Sequence, residues 1–222
     1  MCSEMFDAVI FDWDGTLADT RQIVAASFQK VLNEMHCTIS DAFIERRIGV
    51  GAAETFREIL RISGISFDEA LIRLLVEKKI QAEIDLSSKV KLFSGGMELL
   101  ASLHGKVKLA LASMNNRDVI DHMINAVNVR RFFDVVLTVD EVHSSKPDPE
   151  VFLKSALKLD VRPEKCVVVE DSIFGVEAAK RAKMGCIAVL TGVYSREELE
   201  KAQPDLVVNS LNERAAILSF VL

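Results

Sequence analysis

The sequence predicts an α/β protein: a doubly wound parallel sheet whose chain is interrupted by an all-helical segment. After residue 90, short apolar runs rich in β-branched residues alternate with helical stretches, which is the pattern of βαβ units. A similar run at residues 8–11 is too short to be stable alone, so we expect it to join the same sheet. Between residues 17 and 89, apolar residues recur only at helical spacing. The expected division is a core of residues 1–16 and 90–222 with a helical insert of residues 17–89.

The predicted first strand ends in two carboxylates, Asp12 and Asp14, which are followed by Gly15 and Thr16. Acidic side chains rarely end a buried strand without a partner. In open α/β sheets, ligands bind at the carboxyl ends of the strands. A polar Asp-Gly turn that closes the strand explains this stretch equally well. The stretch alone therefore leaves a structural and a catalytic interpretation open.

The insert is expected to contain four helices. The first runs from Asp19 to about Met35, and two short helices are expected to end at Gly49 and before Gly64. A capping box at residues 66–69, Ser-Phe-Asp-Glu, is expected to open the fourth. Because no strand-like run interrupts these patterns, we expect no strand in the insert.

Strands and helices then alternate to the end of the chain. Strands are predicted at Val107–Ala112, Val135–Val139, Val167–Val169, Ile187–Leu190 and Leu206–Val208. Helices are predicted at Met97–Leu103, Asp118–Val127, Glu150–Leu159, Val176–Ala182 and Glu197–Ala202. Asp148 as N-cap and Pro149 in the first turn are expected to open one of these helices, and Ser195 with Glu198 forms a second capping box.

The composition is that of a globular protein with a substantial core, and it argues against several partners. Of the 222 residues, 50% are hydrophobic, and the net charge of −6 disfavours nucleic acid, whose binding requires a basic surface. No apolar stretch approaches the roughly 20 residues of a membrane span, and the N-terminus lacks a signal-peptide pattern. We expect a reduced, soluble, cytoplasmic protein that binds neither nucleic acid nor membranes, and its oligomeric state stays open.

The cysteines and histidines give little support for zinc. Cys2, Cys37, Cys166 and Cys186 show no CxxC spacing. The last two lie in or beside apolar strands, where a thiol behaves as a small hydrophobic group. The four histidines are dispersed along the chain, so no zinc-ligand pattern is found.

Further predicted strand ends carry polar side chains. These segments are Ser113-Met114-Asn115-Asn116 after the strand at 107–112, Lys146 in the loop after 135–139, and Glu170-Asp171-Ser172 after 167–169. Each has a structural explanation as a turn, a loop or a cap. Because the strand ends of a parallel sheet share one edge, together with Asp12 and Asp14 they would form an acidic cluster with a hydroxyl and one lysine.

Such a cluster meets the needs of phosphoryl transfer through a covalent aspartyl-phosphate. A carboxylate can attack phosphorus. Because the carboxylate and the phosphate are both anions, they approach each other only when a cation screens their charges. Mg²⁺ can serve here with only two or three protein carboxylates, because it retains several water ligands. A hydroxyl, backbone N–H groups and a lysine can hold the phosphoryl oxygens. A second carboxylic acid must protonate the leaving alcohol and then deprotonate the attacking water. We therefore expect Mg²⁺ as the cofactor.

The motifs resemble those of the haloacid dehalogenase (HAD) superfamily, in the family's order and over essentially the whole chain. The first motif, Phe11-Asp12-Trp13-Asp14-Gly15-Thr16-Leu17, and the last, Val169-Glu170-Asp171-Ser172, are specific, whereas those around Ser113 and Lys146 are less so. The branch resembled most contains phosphoglycolate phosphatases and β-phosphoglucomutases. The resemblance implies a Rossmann-like core with a helical cap inserted after the first motif.

The resemblance also implies a role for each motif residue. It makes Asp12 the nucleophile and a Mg²⁺ ligand, and Asp14 the general acid/base, whose backbone carbonyl also binds the metal. Asp171 would be a further metal carboxylate, and Glu170 either a ligand or the partner of one. The phosphoryl group would be held by Ser113, Lys146 and backbone N–H groups near Met114 and Asn115.

Departures from the family pattern favour a phosphatase acting on a small phosphomonoester, such as phosphoglycolate or a sugar phosphate. Dehalogenases lack an acid at the position of Asp14. Phosphonoacetaldehyde hydrolases need a cap lysine, and residues 46–57 contain none. β-Phosphoglucomutases have an arginine near the position of Ala52 and a histidine near that of Val24, without which a bisphosphorylated intermediate would be poorly held. A sugar-phosphate mutase and a catalytically inactive binding module are the alternatives.

The Gly49-Val50-Gly51 stretch does not fit a dinucleotide-binding loop. No strand precedes it, and Glu54 stands where the third glycine would be. We expect a cap loop that faces the active site. Arg46 and Arg47 beside it are either substrate contacts or solvated arginines on a helix.

Overall fold

The computed structural model describes residues 6–222, so Cys2 lies outside the described residues. Its strands in chain order are β1 (Ala8–Phe11), β2 (Ala18–Asp19), β3 (Lys91–Leu92), β4 (Lys108–Ala112), β5 (Val135–Leu137), β6 (Cys166–Glu170), β7 (Gly185–Val189) and β8 (Leu206–Val208). Six of them form one parallel sheet in the order β5-β4-β1-β6-β7-β8. The α/β, Rossmann-like parallel sheet predicted from the sequence is confirmed.

Ten α-helices accompany these strands in the described part of the chain. They are α1 (Arg21–Glu34), α2 (Asp41–Glu45), α3 (Ala52–Ile62), α4 (Glu69–Leu86), α5 (Gly96–Leu103), α6 (Arg117–Ala126), α7 (Glu150–Leu159), α8 (Ile173–Arg181), α9 (Arg196–Lys201) and α10 (Arg214–Val221). Short 3₁₀ turns lie at Ser87–Lys89, Arg130–Phe132, Val139–Glu141 and Pro163–Lys165. Between residues 6 and 222, no helix is both long and apolar enough to cross a membrane.

The central strand β1 supplies both faces of the core. Val9 and Phe11 point into an apolar cluster formed with residues of α5, α6 and α10. Ala8 and Ile10 point into the opposite cluster, formed with residues of α7, α8 and α9. Because side chains alternate along a strand, a four-residue strand buried on both faces is apolar throughout. The polar residues that follow it are thereby confined to the strand end.

Helices α1–α4 have a separate apolar core. It includes Phe28 of α1, Phe56 and Leu60 of α3, and Leu75 of α4. The rings of Phe28 and Phe56 lie 4.7 Å apart between centroids. The four helices thus bury their apolar stripes against one another, as the helical periodicity indicates.

Several local expectations differ from the structure. Helix α4 begins at Glu69 with Asp68 as its N-cap, whose carboxylate accepts from the Leu71 N–H at 2.8 Å, so the predicted box with Ser66 is wrong. Helix α2 ends at Glu45, and turns continue to Val50. Pro149, rather than Asp148, is the N-cap of α7. The capping box of Ser195 and Glu198 is confirmed.

Two short strands and the last helix were not expected from the sequence. β2 and β3 pair antiparallel, Ala18 with Leu92 and Asp19 with Lys91, where the chain leaves the sheet for α1–α4 and returns. Two-residue strands carry no periodicity, so their pairing is visible only in three dimensions. The pair brings the two connections of the helical segment together beside the end of β1.

Candidate active site

Neighbouring strand ends bring the predicted polar residues together at one edge of the sheet. β1 lies between β4 and β6, so Asp12, directly after β1, has the end of β4, which Ser113 follows, on one side and Glu170 on the other. The Asp12 N–H donates to the Val169 carbonyl at 3.0 Å, which extends the ladder one residue beyond the strand. The side chains of Asp12, Ser113 and Glu170 are buried. The strand order therefore decides which acids face each other.

Lys146 reaches this edge from the loop between β5 and α7. Its Nζ lies 2.6 Å from Asp12 Oδ1 and 2.6 Å from Glu170 Oε1, and the side chain is fully buried. Burial disfavours the charge of Lys146, but the carboxylates of Asp12 and Glu170 outweigh it and raise the pKa of the ammonium group. The site therefore contains a buried ammonium group that two carboxylates hold next to Asp12.

Asp12, Glu170 and Asp171 form a compact carboxylate group. Each offers one oxygen, and these oxygens lie within 4.8 Å of one another. Burial raises the pKa of Asp12 to about 7 against the opposing effect of Lys146, and burial together with the charge of Glu170 raises the pKa of Asp171 well above its usual value. Carboxylate oxygens are the donors that Mg²⁺ takes in proteins, and a cation there would relieve the repulsion. The donor set thus fits a divalent cation.

Two glycines leave the room that the Asp171 side chain occupies. A Cβ atom on Gly15 would lie 2.4 Å from Asp171 Oδ2, and one on Gly192 would lie 1.9 Å from the same oxygen. Gly15 also has a φ of +87°, a conformation that favours glycine. The hydroxyl of Thr16 donates to the other oxygen, Asp171 Oδ1, at 2.9 Å. The Gly15-Thr16 turn therefore both accommodates and orients this carboxylate.

Glu170 is held through both of its oxygens. Oε1 accepts from Lys146, and Oε2 accepts from the backbone N–H groups of Asp171 and Ser172 at 2.9 and 3.0 Å and from the Ser172 hydroxyl at 3.0 Å. A Cβ atom on Gly175 would overlap this carboxylate at 1.9 Å. Glu170 is therefore fixed in orientation, whether it binds a metal or orients Lys146.

The Asp14 carboxylate is outside the compact carboxylate group. Its two oxygens accept from the Thr20 hydroxyl at 2.7 Å and from the Ser113 hydroxyl at 3.3 Å. Burial, with a further contribution from the charge of Glu83, raises the pKa of Asp14 to about 6. A buried carboxyl group with a raised pKa can hold a proton near neutral pH, which is what a general acid requires.

Ser113 lies between Asp14 and the segment after β4. Its hydroxyl accepts from the Asn115 N–H at 3.0 Å, and its own N–H donates to the Leu137 carbonyl at 3.0 Å. Met114 and Asn115, which follow it, are buried and line a cavity above Asp14. The predicted site residues therefore lie along the same edge of the sheet.

This arrangement has counterparts in known proteins. The family model of haloacid dehalogenase-like hydrolases matches residues 9–189. The chain belongs to this family. The matched residues include five of the six strands of the sheet, the strand ends with their acidic residues, and helices α1–α4, whereas β8 follows the matched segment.

Several relatives of this haloacid dehalogenase-like chain are named phosphatases. It is 34% identical over 216 residues to a phosphorylated carbohydrates phosphatase of Thermotoga maritima, covering 96% of this chain and 90% of that protein. It is 30% identical over 212 residues to the chloroplastic 5-amino-6-(5-phospho-D-ribitylamino)uracil phosphatase of Arabidopsis thaliana, of whose length it spans 55%. These names agree with the expected enzyme class, a hydrolase of phosphoric monoesters.

A solved structure of another family member has the same fold. The crystal structure of β-phosphoglucomutase from Clostridium difficile is similar to this haloacid dehalogenase-like chain with a TM-score of 0.87 and 27% identity, over 98% of this chain and 97% of that one. The similarity includes the helical segment as well as the sheet. The mutase alternative therefore stays open.

The haloacid dehalogenase-like site continues into the helical segment, where sequence reasoning missed three polar residues. Thr20 binds Asp14, and Lys79 and Glu83 of α4 are buried beside Asn115. Lys79 and Glu83 are spaced i, i+4 and read as an exposed helical ion pair. Their burial could have been predicted from their position on the helix, because Lys79 follows Leu75 by four residues and so lies on the buried face of α4.

The two arginines of the segment before α3 have different surroundings. Arg46 pairs with Glu198 at 2.6 Å and lies over the ring of Tyr194, whose hydroxyl donates to the Arg46 carbonyl at 2.7 Å. Arg47 lines the cavity and binds Glu58 through two of its nitrogens. Gly51 borders the same cavity, and a Cβ atom on it would lie 3.3 Å from Ser145 Oγ. The loop at residues 49–51 thus faces the edge of the sheet.

Proposed function

We propose that this protein is a Mg²⁺-dependent phosphatase that hydrolyses a small phosphomonoester through an aspartyl-phosphate on Asp12. The observation that carries the proposal is the buried group of Asp12, Glu170 and Asp171 around the Lys146 ammonium, with the separate carboxyl of Asp14 close by. This arrangement supplies a nucleophile, a cation site and an acid within one enclosed edge. The phosphorylated substrates named for the relatives support the same chemistry.

The proposed reaction divides the acids into two roles. Asp12 attacks phosphorus, and the bond from phosphorus to the alcohol oxygen breaks as Asp14 donates its proton to that oxygen. Asp14 then takes a proton from water, whose oxygen attacks the aspartyl-phosphate and releases inorganic phosphate, so that Asp12 is regenerated. The Ser113 hydroxyl, the backbone N–H groups near Met114 and Asn115, and Lys146 hold the phosphoryl oxygens.

Asp12, Asp171 and the backbone carbonyl of Asp14 are the proposed Mg²⁺ ligands, with Glu170 as a ligand or as the group that orients Lys146. When bound, Mg²⁺ supplies the positive charge that lets a carboxylate and a phosphate approach each other. Lys146 and Ser172 fix the orientation of the Glu170 carboxylate, and either role requires a fixed orientation.

We propose that residues 17–89 act as a cap domain over a core of residues 1–16 and 90–222. The helical segment has its own apolar core and touches the sheet edge through Arg46 and Lys79. Closure over a bound phosphomonoester would exclude water until the aspartyl-phosphate has formed. The cytoplasmic location expected from the sequence stays a prediction.

The test is turnover of p-nitrophenyl phosphate. We expect Mg²⁺-dependent hydrolysis that EDTA abolishes, no measurable turnover in Asp12→Asn, and a severe loss in Asp14→Asn. Asp160→Asn is the matched control, because Asp160 is exposed at the end of α7 with a φ of 54° that Asn also tolerates. Appreciable residual activity in Asp12→Asn would overturn the proposal.

A sugar-phosphate mutase is the second candidate, favoured by the similarity to the Clostridium difficile enzyme. The discriminating experiment supplies β-glucose 1-phosphate with a trace of the bisphosphate. Formation of glucose 6-phosphate faster than release of inorganic phosphate would favour the mutase. Release of phosphate alone supports hydrolysis. The third alternative, an inactive binding module, predicts neither product.

A further inference from the structure

A small cavity between α1–α4 and the sheet edge borders Asp14, the proposed general acid, so a leaving group that Asp14 protonates would meet the residues that line it. Within the described residues, its charged lining side chains are Asp14, Arg47 and Lys79. Apolar lining comes from Val24, Phe28, Ile48 and Ala52. What the cavity accepts therefore depends on whether its two cations are available to a ligand.

The positive charge of Lys79 is balanced by a neighbouring carboxylate, Glu83, in the wall of the cavity. Its Nζ contacts Glu83 Oε2 and donates to Asn115 Oδ1 at 3.2 Å, while Asn115 Nδ2 donates to Glu83 Oε1 at 2.8 Å. Lys79 is 3% exposed and Glu83 is 0% exposed. The three side chains close a ring of hydrogen bonds in which each charge has its partner. The ammonium group also lies 5.6 Å from the Phe28 ring centroid.

Arg47 also has a carboxylate partner, in a pair that is partly exposed. Glu58 binds its guanidinium through both carboxylate oxygens, and the guanidinium carbon lies 4.9 Å from the centroid of the Phe43 ring. A two-point pair with a carboxylate, with an aromatic ring beside the guanidinium group, holds an arginine side chain in place. Both cations of the lining therefore have a carboxylate partner before any ligand enters.

This charge balance discriminates between kinds of leaving group. A carboxylate or a second phosphate entering the cavity would have to draw Lys79 away from Glu83, and a buried carboxylate left without its partner is strongly unfavourable. A hydroxyl group can accept from Lys79 or donate to Asn115, which both line the cavity, while the pair stays intact. The apolar part of the lining would contact the carbon chain of such a leaving group.

We propose, on the basis of the phosphatase function above, that the leaving group is uncharged and hydroxylated, as in a polyol or sugar phosphate, and that the Lys79–Glu83 pair is the specificity determinant. Phosphoglycolate and other phosphocarboxylates are then poor substrates. Glu83 acts by keeping Lys79 unavailable to anions.

The first test compares substrates that differ only in one terminal group. The pairs are 2-hydroxyethyl phosphate against 2-phosphoglycolate, and glycerol 1-phosphate against 3-phosphoglycerate. We expect kcat/KM to favour the hydroxyl member of each pair by about tenfold or more. An active enzyme that prefers the carboxylate members would overturn this inference and leave the phosphatase function intact. Absence of any turnover, including that of p-nitrophenyl phosphate, would instead refute the proposed function.

The second test removes the negative charge that balances Lys79. Glu83→Gln keeps an acceptor for Asn115 but removes the negative charge, and we expect the hydroxyl-to-carboxylate ratio of kcat/KM to fall by about tenfold. The double variant Lys79→Met/Glu83→Gln removes the released charge and should restore discrimination against carboxylates. Glu34→Gln, which removes the partner of the exposed Lys78, is the matched control and should leave the ratio unchanged. A folded Glu83→Gln variant with the wild-type ratio would refute the inference, and if the variant does not fold, the wild-type comparison decides.

Discussion

Lys146 and Asp12 are separated by 134 positions in the chain, yet Lys146 Nζ lies 2.6 Å from Asp12 Oδ1 inside the protein. The same nitrogen lies 2.6 Å from Glu170 Oε1. One ammonium group therefore fixes the proposed nucleophile and balances part of the negative charge that the strand ends concentrate. Removing either partner leaves charge without compensation.

Lys146→Met tests this relationship. We expect turnover of p-nitrophenyl phosphate to fall by at least about 10²-fold, because the phosphoryl oxygens lose a fixed positive charge. The free energy of unfolding should fall by about 3–5 kcal/mol, because two buried carboxylates lose their partner. Denaturant titration measures the second effect. In Lys146→Met/Glu170→Gln, stability should recover in part while activity stays low, and recovery of both would contradict the catalytic role.

Thr20→Val tests the positioning of Asp14. Val has nearly the shape of Thr but cannot donate the 2.7 Å hydrogen bond to Asp14. Since hydrogen bonds to charged groups contribute about 1.5–3 kcal/mol, we expect kcat to fall roughly 10–100-fold with little change in KM. The loss should be larger for glycerol 1-phosphate than for p-nitrophenyl phosphate, whose leaving group needs less protonation. Ser155→Ala, which removes a buried hydroxyl bonded to the Val151 carbonyl within α7, is the control, and equal losses in both variants would argue against a role through Asp14.

Gly192→Ala tests the cation site without touching a carboxylate. The new Cβ would lie 1.9 Å from Asp171 Oδ2, so this carboxylate must move. We expect the Mg²⁺ concentration for half-maximal activity to rise by about tenfold or more, within the range known for groups that orient metal ligands. Gly96→Ala is the matched control, because its Cβ would meet only ordinary contacts, the nearest at 3.5 Å. An unchanged Mg²⁺ requirement in Gly192→Ala would exclude Asp171 as a ligand.

Stability without metal should depend on pH through the same carboxylates. The pKa of Asp12 is raised to about 7 and that of Asp171 is raised well above its usual value, so the folded state binds protons more tightly than the unfolded chain. Stability is then highest where these groups are protonated and is lost as pH rises through their folded-state pKa values. We expect the Tm of EDTA-treated protein to fall between pH 5.5 and pH 8 and Mg²⁺ to reverse the fall.

Asp171→Asn should weaken this pH dependence. At pH 8 without metal, we expect its Tm to exceed that of the wild type by a few degrees, since 1 kcal/mol shifts Tm by about 2–4 °C in a chain of this size. Added Mg²⁺ should raise its Tm less than that of the wild type. Differential scanning calorimetry with Asp160→Asn as the control measures both effects. A lower Tm for Asp171→Asn would show that this carboxylate is stabilising without the metal.

The fold and the residues at the sheet edge were predictable because their signals are local. A run such as Ala8–Phe11 is apolar on both faces, and its end is marked by Asp12 and Asp14. The parallel strand ends meet at one edge by topology alone, so Ser113 and Asp171 could be grouped with them. The two-residue strands at 18–19 and 91–92, by contrast, are too short to carry a pattern.

The fold class, the family and the acids at the strand ends are therefore predictable from the amino-acid order alone, because periodicity and consecutive motif residues need no partner to be recognised. The three-dimensional packing was needed to show that Lys146 lies between Asp12 and Glu170, and that Thr20 binds Asp14. It was also needed to show that Lys79 and Glu83 are buried together. On a helix, an i, i+4 ion pair reads the same whether it faces solvent or a cavity, and the packing of the four helices against the sheet makes the difference.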